Sequence, residues 1–200
     1  MMGPLAEWKA NEIMSDLDSY VQALYRWEGR ITWMYLDTRG LVTTGIGNLL
    51  KTSADALKLP WMKVDGSSAL TEQVNLTYVT VSNMKPGMPA RNYKLDLTLS
   101  DQTVGLLAST RLGTEFLPGL HRLFPGFDTY PLLARTVLVD MAYNLGISGI
   151  GRFSHLIAAC TSRDWLAASN ACSVKTSRPE RNDWRKAQFQ AAAQGTAAGT

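Results

Sequence analysis

The sequence contains little of what a metal site, a membrane span or a secretion signal requires. Its 200 residues include two histidines, His121 and His155, and two cysteines, Cys160 and Cys172. These four residues do not have the spacing of a zinc site, which argues against a zinc amidase, and we expect no cofactor. No apolar run reaches the roughly 20 residues of a membrane-spanning helix, so we expect no membrane partner. No signal peptide is visible either, and we expect synthesis in the cytoplasm.

The two cysteines lie twelve residues apart in a segment with helical character. On one straight helix, a rise of about 1.5 Å per residue would separate them by roughly 18 Å. That distance is too great for a disulfide, although a turn between them would allow pairing. We favour two buried free thiols, which behave as small apolar side chains.

The charge balance and the composition indicate an ordinary globular chain. Lys and Arg number 20 against 17 Asp and Glu, which gives a net charge of +3. This mild positive charge would favour an anionic polymer such as a cell wall. No basic cluster supports binding to nucleic acid. The length and an apolar fraction of 46% indicate a single domain with a real core.

Residues 28–48 form the most informative segment. Glu28 and Asp37 stand nine residues apart, and Thr43 follows Asp37 by six. Cleavage of a glycosidic bond uses two carboxyl groups, one that protonates the leaving oxygen and one that handles water or the developing positive charge. A hydroxyl beside the second carboxylate can hold that water in line. These three residues therefore predict a glycoside hydrolase.

The same segment resembles the lysozymes of T-even phages and their endolysin relatives, a family of peptidoglycan muramidases. The family pattern is Glu, eight residues, Asp, five residues and Thr, with a Tyr and several glycines in register. Here the pattern is filled by Glu28, Gly29, Tyr35, Asp37, Gly40, Thr43, Gly45 and Gly47. Residues 139–146, 153, 165 and 178–181 support the resemblance, which covers residues 15–64 and 100–190. A bacterial effector lysozyme of the same family would share these features.

The resemblance implies an α+β fold, mostly α-helical and lysozyme-like, with a small antiparallel β-sheet lobe and a helical lobe. A single domain would span residues 1–200, with the catalytic helix end and the β lobe in residues 15–64. The helical lobe would occupy residues 100–193, and residues 194–200 would be a frayed tail. Apolar spacing predicts a helix over residues 5–27 that ends at Glu28, with Gly29 as its stop.

Residues 66–98 have no counterpart in the family. Residues 73–81 and 93–99 alternate as strands do, and residues 85–89 have the composition of a turn. We therefore predict an inserted β-hairpin or flap in this segment. It would be either a decorative surface loop or a functional element, such as a cleft edge or a docking surface for a partner.

The resemblance also implies the roles of the catalytic residues. Glu28 is expected to be the general acid, and Asp37 the carboxylate that positions or activates water. Thr43 is expected to hydrogen-bond that water, with Thr44 as the competing candidate. Arg181, from the last helix, is expected to support catalysis by pairing with Glu28.

Four further residues are implied as substrate-binding. Gly47 and Leu49 would contact the saccharide through their backbone, and Tyr143 and Asn144 through side chains at the mouth of the cleft. Tyr143 and Asn144 stand where the family usually has Phe and Gln. No residue of this set is expected to bind a metal.

The predicted function is hydrolysis of the β-1,4 bond between N-acetylmuramic acid and N-acetylglucosamine, with inversion. Peptidoglycan would be the substrate, and a monomer would act on the cell wall or in the periplasm after release or delivery. The setting stays open between a phage endolysin and a secreted antibacterial effector, and an immunity or delivery protein could be a partner.

Two alternatives remain at this point. One is a non-catalytic cell-wall-binding module on a lysozyme scaffold, against which the intact Glu28, Asp37 and Thr43 argue. The other is a lytic transglycosylase, which uses an acid but forms an anhydro product without water. Retention of Asp37 and Thr43 favours hydrolysis.

Overall fold

The computed structural model describes the backbone of residues 4–197 and the side chains of residues 16–195. The chain forms two compact units. The β unit is Leu24–Thr110, and the helical unit combines Met1–Ala23 with Arg111–Thr200. Helices predominate and the strands are few and short, which confirms the predicted α+β class. No helix in the described part of the chain combines the length and the apolar character needed to cross a membrane.

The first helix, α1, spans Pro4–Glu28 and ends where the sequence predicts. Gly29 follows with φ of 75°, in the left-handed region. Residues with a side chain rarely adopt this conformation, so glycine serves as the stop signal after a helix. The chain therefore leaves the helix directly after Glu28, and the sheet begins three residues later, at Ile31.

The main sheet of the β unit has three antiparallel strands in the order β1-β2-β3. Strand β1 spans Ile31–Leu36, β2 spans Val42–Gly45 and β3 spans Asn48–Leu49. Tyr35 of β1 is paired with Thr43 of β2, and Thr43 is paired with Leu49 of β3. The predicted small antiparallel sheet is confirmed, and β2 is its central strand.

The rest of the β unit alternates short helices with a second small sheet. Helix α2 is Ser53–Ala56, strand β4 is Met62–Lys63, helix α3 is Thr71–Ser82 and strand β5 is Leu97–Thr98. A 3₁₀ turn lies at Ala90–Tyr93, and helix α4, Asp101–Arg111, leads into the helical unit. Strand β5 pairs antiparallel with β4.

The predicted β-hairpin over residues 66–98 is wrong. Residues 73–81 lie within α3, and only residues 97–98 of the second predicted strand are extended, paired with β4. The alternation of β-branched residues predicted a strand because such residues favour that conformation. In the folded chain, Val74 and Val81 are the buried residues of α3. They are two helical turns apart, so both lie on one helix face, and their burial outweighs the local preference.

The segment is also part of the core of the β unit. Its most deeply buried side chains are Val74, Val81, Tyr93 and Leu97. The Tyr93 hydroxyl donates to the Lys85 carbonyl at 2.7 Å. The Trp33 indole of β1 donates to the Ala90 carbonyl at 2.9 Å, which ties the segment to the main sheet. A decorative surface loop would make none of these contacts.

Replacing residues 66–98 with a short Gly/Ser linker should therefore unfold the β unit. Each of the four buried side chains contributes about 1.5–3 kcal/mol on burial. Their sum is comparable with the whole stability of a domain, about 5–15 kcal/mol. Circular dichroism and thermal unfolding would measure the loss.

A matched pair of valines on α3 tests the same burial. Val81 is 0% exposed and Val79 is 50% exposed. Val81→Ala should lower the free energy of unfolding by about 1–3 kcal/mol, whereas Val79→Ala should change it by less than about 0.5 kcal/mol. Equal effects of the two changes, or a folded linker variant, would show that the segment is dispensable.

The helical unit surrounds one buried helix. A π-helical turn at Leu112–Phe116 leads into α5, Leu117–Leu123, and a 3₁₀ turn at Phe127–Thr129 precedes α6, Leu132–Leu145. Every residue of α6 from Thr136 to Ala142 is buried. Four helices follow: α7 at Ile147–Ile150, α8 at Ser154–Thr161, α9 at Trp165–Ala171 and α10 at Pro179–Ala197. The prediction of a frayed tail from residue 194 is wrong as far as Ala197, and residues 198–200 lie outside the described residues.

The two cysteines confirm the sequence-based expectation of free thiols. Cys160 lies in α8 and Cys172 directly after α9, and both are buried and unpaired with each other. Burial raises the pKa of Cys160 to about 12 and the pKa of Cys172 to about 11. Both thiols are therefore neutral at physiological pH, and neutral thiols are poor nucleophiles.

Candidate active site

The predicted site residues fall into two groups, one in each unit. The β unit contains Glu28, Asp37, Thr43, Gly47 and Leu49, and the helical unit contains Tyr143, Asn144 and Arg181. No cluster of three potential metal ligands occurs among the described residues. The functional groups of these side chains are carboxylates, hydroxyls, an amide and a guanidinium.

Asp37 lies in the turn between β1 and β2, and its carboxylate holds that turn together. Its Oδ1 accepts hydrogen bonds from the backbone N–H groups of Arg39 at 2.8 Å and Leu41 at 2.9 Å. The turn is completed by the Gly40 N–H, which donates to the Asp37 carbonyl at 3.0 Å. The carboxylate is consequently fixed by rigid backbone donors, while its side chain remains 22% exposed.

The second oxygen of Asp37 has a different environment. The Arg39 side chain donates to Oδ2 from Nε and from Nη2, both at 3.3 Å. These contacts are longer than the usual 2.7–2.9 Å of a charge-assisted N–H···O bond. Arg39 is also 70% exposed, so its hold on Oδ2 is weak.

Thr43 and Thr44 are adjacent in the central strand β2, and they lie on opposite faces of the sheet. Thr43 is paired with Tyr35, and partners across an antiparallel pair share a face. Asp37 follows Tyr35 by two residues, so the alternation of side chains places Asp37 on the same face as Tyr35 and Thr43. Because Thr44 lies on the other face, the register favours Thr43 over Thr44 as the partner of Asp37.

The hydroxyls of both threonines bond to backbone carbonyls. Thr43 is 2% exposed, and its hydroxyl donates to the Leu41 carbonyl at 3.0 Å. Thr44 is 0% exposed, and its hydroxyl donates to the Ile31 carbonyl at 3.5 Å. A hydroxyl that donates to a carbonyl keeps lone pairs with which it can accept a hydrogen bond from water.

Glu28, Gly47 and Leu49 lie at the end of a helix, in a turn and in an edge strand, respectively. Glu28 is exposed as the last residue of α1. Gly47 has φ of 69° in the turn between β2 and β3, so this turn requires a glycine-like conformation. Leu49 lies in β3, an edge strand of the three-stranded sheet, and the backbone of an edge strand can pair with a ligand.

In the helical unit, Tyr143 belongs to a cluster with an arginine. The Arg111 guanidinium donates to the Tyr143 hydroxyl at 3.0 Å and lies 5.0 Å from the centroid of its ring. The Phe116 ring packs against Tyr143 with centroids 5.1 Å apart. Although burial lowers the pKa of Arg111, Tyr143 and Glu115 more than compensate and raise it. Arg111 therefore remains a fixed cation.

A buried ion cluster surrounds Arg181, and the sequence analysis missed it. The Asp140 carboxylate of α6, which is fully buried, accepts hydrogen bonds from Arg181 Nη2 at 2.8 Å and Arg185 Nε at 2.6 Å. Burial lowers the pKa of Arg185, and Asp140 opposes this shift. Arg181 is thus bound to Asp140 within the helical unit, and its pairing with Glu28 stays a prediction.

The cluster continues to Asn144. Arg185 donates to the Ser177 hydroxyl at 3.1 Å, and Ser177 donates to Asn144 Oδ1 at 3.0 Å. Asn144 itself is exposed at the end of α6. The sequence contained a signal for this arrangement: Asp140 is the only acid of α6 and lies in an apolar stretch of that helix, so it needs a partner, and Arg181 and Arg185 are one helical turn apart.

Loss of Asp140 should destabilise the helical unit strongly. Asp140→Asn would leave two buried guanidinium groups without their counter-charge, at an expected cost of about 3–5 kcal/mol. Urea unfolding would measure this cost. The matched control is Asp128→Asn, which removes an exposed carboxylate paired with His121 at 2.8 Å and should cost less than about 1 kcal/mol. Similar costs for both changes would contradict a structural role for the cluster.

Comparison with known proteins supports the fold. No family model and no curated protein sequence matches this chain. A crystal structure of a P22 lysozyme variant is similar, with a TM-score of 0.53 and 20% sequence identity. The similarity covers 86% of this chain and 95% of that one. The chain therefore has a lysozyme-like fold, and the motif of residues 28–48 lies within that fold.

Proposed function

We propose that this protein is a peptidoglycan muramidase, which hydrolyses the β-1,4 bond between N-acetylmuramic acid and N-acetylglucosamine with inversion. The observation that carries the proposal is the construction of the β unit around its three motif residues. Glu28 ends α1, the sheet begins at Ile31, and its first hairpin contains Asp37 and Thr43 in phase. The lysozyme-like fold supports the same assignment.

The proposed reaction uses one carboxyl group as an acid and one as a base. Glu28 donates a proton to the glycosidic oxygen as its bond to the anomeric carbon breaks. Water attacks that carbon from the opposite face and transfers a proton to Asp37. This division of roles inverts the anomeric centre, and it needs room for a water molecule between sugar and base.

The hydrogen bonds of Asp37 and Thr43 suit these roles. Oδ1 of Asp37 is bound by two short backbone N–H contacts, whereas Oδ2 has only the longer contacts with Arg39 at 3.3 Å, so we assign Oδ2 to the attacking water. The Thr43 hydroxyl donates to the Leu41 carbonyl, so its oxygen is oriented to accept a hydrogen bond from water. One water molecule could then donate one proton toward each residue.

The saccharide contacts are part of the same proposal. In the β unit, the turn at Gly47 and the edge strand at Leu49 offer backbone groups to a sugar. In the helical unit, Tyr143 offers a half-exposed ring, and the Asn144 amide can donate to a hydroxyl while its oxygen is held by Ser177.

The cellular setting follows from the substrate. Peptidoglycan lies outside the cytoplasmic membrane, so the enzyme would reach it after release or delivery. We propose either a phage endolysin or a secreted antibacterial effector that lyses bacteria as a monomer. An immunity or delivery protein would be the partner in the second setting.

The proposal predicts that Glu28→Gln removes most of the wall-lysing activity. The amide keeps the shape of the side chain but cannot donate a proton as an acid does, so the rate should fall by about 10²–10⁴-fold. Turbidity clearance of a suspension of cell walls would measure the rate. The control is Glu72→Gln, which changes an exposed glutamate in the first turn of α3 and should keep full activity. Wild-type clearance by the Glu28 variant would contradict the assignment.

Inversion and the role of Thr43 can be tested together. Thr43→Ala should lose most activity per folded molecule, because the attacking water loses one of its two partners. Thr44→Ala changes a neighbour of equal burial on the other face and should lose little. NMR of the freshly formed product should show the α anomer first. A β anomer, or a trapped glycosyl–Asp37 adduct in the wild-type enzyme, would overturn the water-holding role.

A further inference from the structure

We propose that the Arg39 guanidinium acts through Asp37: it occupies Oδ2 of that carboxylate and thereby limits the rate of the chemical step. The inference rests on the proposed function, because it assigns Oδ2 to the attacking water. It goes beyond that function by naming a residue outside the three-residue motif whose removal should make the enzyme faster.

The two carboxylate oxygens of Asp37 have different hydrogen-bond partners. Oδ1 is held at 2.8 and 2.9 Å by the backbone of Arg39 and Leu41, which is sufficient to orient the whole carboxylate. The Arg39 side chain contacts only Oδ2, through Nε and Nη2 at 3.3 Å each. The guanidinium is therefore not needed to orient Asp37, and it occupies the oxygen that the chemistry needs.

Two effects of this cation oppose the reaction. First, its N–H groups occupy acceptor positions at Oδ2 that a water molecule would otherwise use. Second, a positive charge beside Asp37 offsets the stabilisation that the carboxylate can give to positive charge at the anomeric carbon. Both effects act in the transition state, so both should lower kcat.

The turn itself does not require an arginine side chain. It uses the backbone N–H of Arg39 and the left-handed conformation of Gly40, whose φ is 76°. The Arg39 side chain is 70% exposed. Substitutions at this position should consequently leave the turn and the stability unchanged, which makes the effect on rate interpretable.

The experiment compares wild-type protein with Arg39→Gln and Arg39→Lys on soluble peptidoglycan strands, with kcat and KM measured separately. The kcat of Arg39→Gln should rise about two- to fivefold, which is the factor by which a weak exposed ion pair can slow a reaction. Arg39→Lys keeps the charge but lacks the planar guanidinium. Its kcat should therefore lie between that of the wild type and that of Arg39→Gln. Thermal unfolding should be the same for all three proteins.

A matched control and a salt series separate this effect from general charge. Arg30→Gln removes the same charge from the β unit at a residue paired with Asp101 at 3.3 Å, and its kcat should equal that of wild type. Raising the salt concentration to about 1 M shortens the Debye length to about 3 Å, which is comparable with the 3.3 Å contacts between Arg39 and Asp37, and so screens this exposed pair. The wild-type kcat should therefore rise with salt, whereas that of Arg39→Gln should not.

The outcomes distinguish the inference from the function on which it rests. An active wild type whose kcat falls or stays constant in Arg39→Gln would overturn the inference alone. A rise in kcat that Arg30→Gln shares would also overturn it, since net charge would then be the cause. A wild type that releases no product would overturn the proposed function and the inference with it.

Discussion

The site depends on one carboxylate that the backbone of its own turn holds in place. Asp37 Oδ1 accepts two short hydrogen bonds from N–H groups of the β1–β2 turn, so the turn and the carboxylate orient each other. The register of the hairpin then places Thr43 in phase with Asp37 and Thr44 on the opposite face. A shift of one residue in this register would exchange the two threonines, because successive side chains of a strand alternate between faces.

This double use of Asp37 affects how its own substitutions should be interpreted. An asparagine could keep the acceptor that binds the two N–H groups, whereas an alanine would remove it and free the turn. Loss of activity in an alanine variant would therefore combine a structural and a chemical effect. The residues at which the two effects separate are Glu28, at a helix end, and Arg39, whose side chain is mostly exposed.

Features set by local sequence were predictable. The end of α1 at Glu28 follows from helical spacing and the glycine after it, and the β1–β2 hairpin follows from alternation with a turn between. The lysozyme-like fold was predictable for a different reason, since it came from the resemblance of residues 28–48. The segment 71–82 was not predictable, because β-branched residues at alternating positions favour a strand locally. The burial of Val74 and Val81 on one face stabilises the helix against this local preference.

The ion cluster of Asp140, Arg181 and Arg185 shows another limit. Arg181 and Arg185 follow Asp140 by 41 and 45 residues along the chain. Spacing on each helix shows which residues share a face, but it does not show which face another helix covers. The sequence could therefore indicate that Asp140 needs a partner without identifying Arg185, which was absent from the predicted site.

Mass analysis of digested peptidoglycan is the most direct test of hydrolysis between N-acetylmuramic acid and N-acetylglucosamine. A muramidase should release fragments that carry one added water and end in a reducing N-acetylmuramic acid. Anhydro ends would indicate a lytic transglycosylase, and reducing N-acetylglucosamine ends would indicate cleavage of the other glycosidic bond. Either result, or intact strands after prolonged incubation with the folded protein, would contradict the proposed muramidase activity.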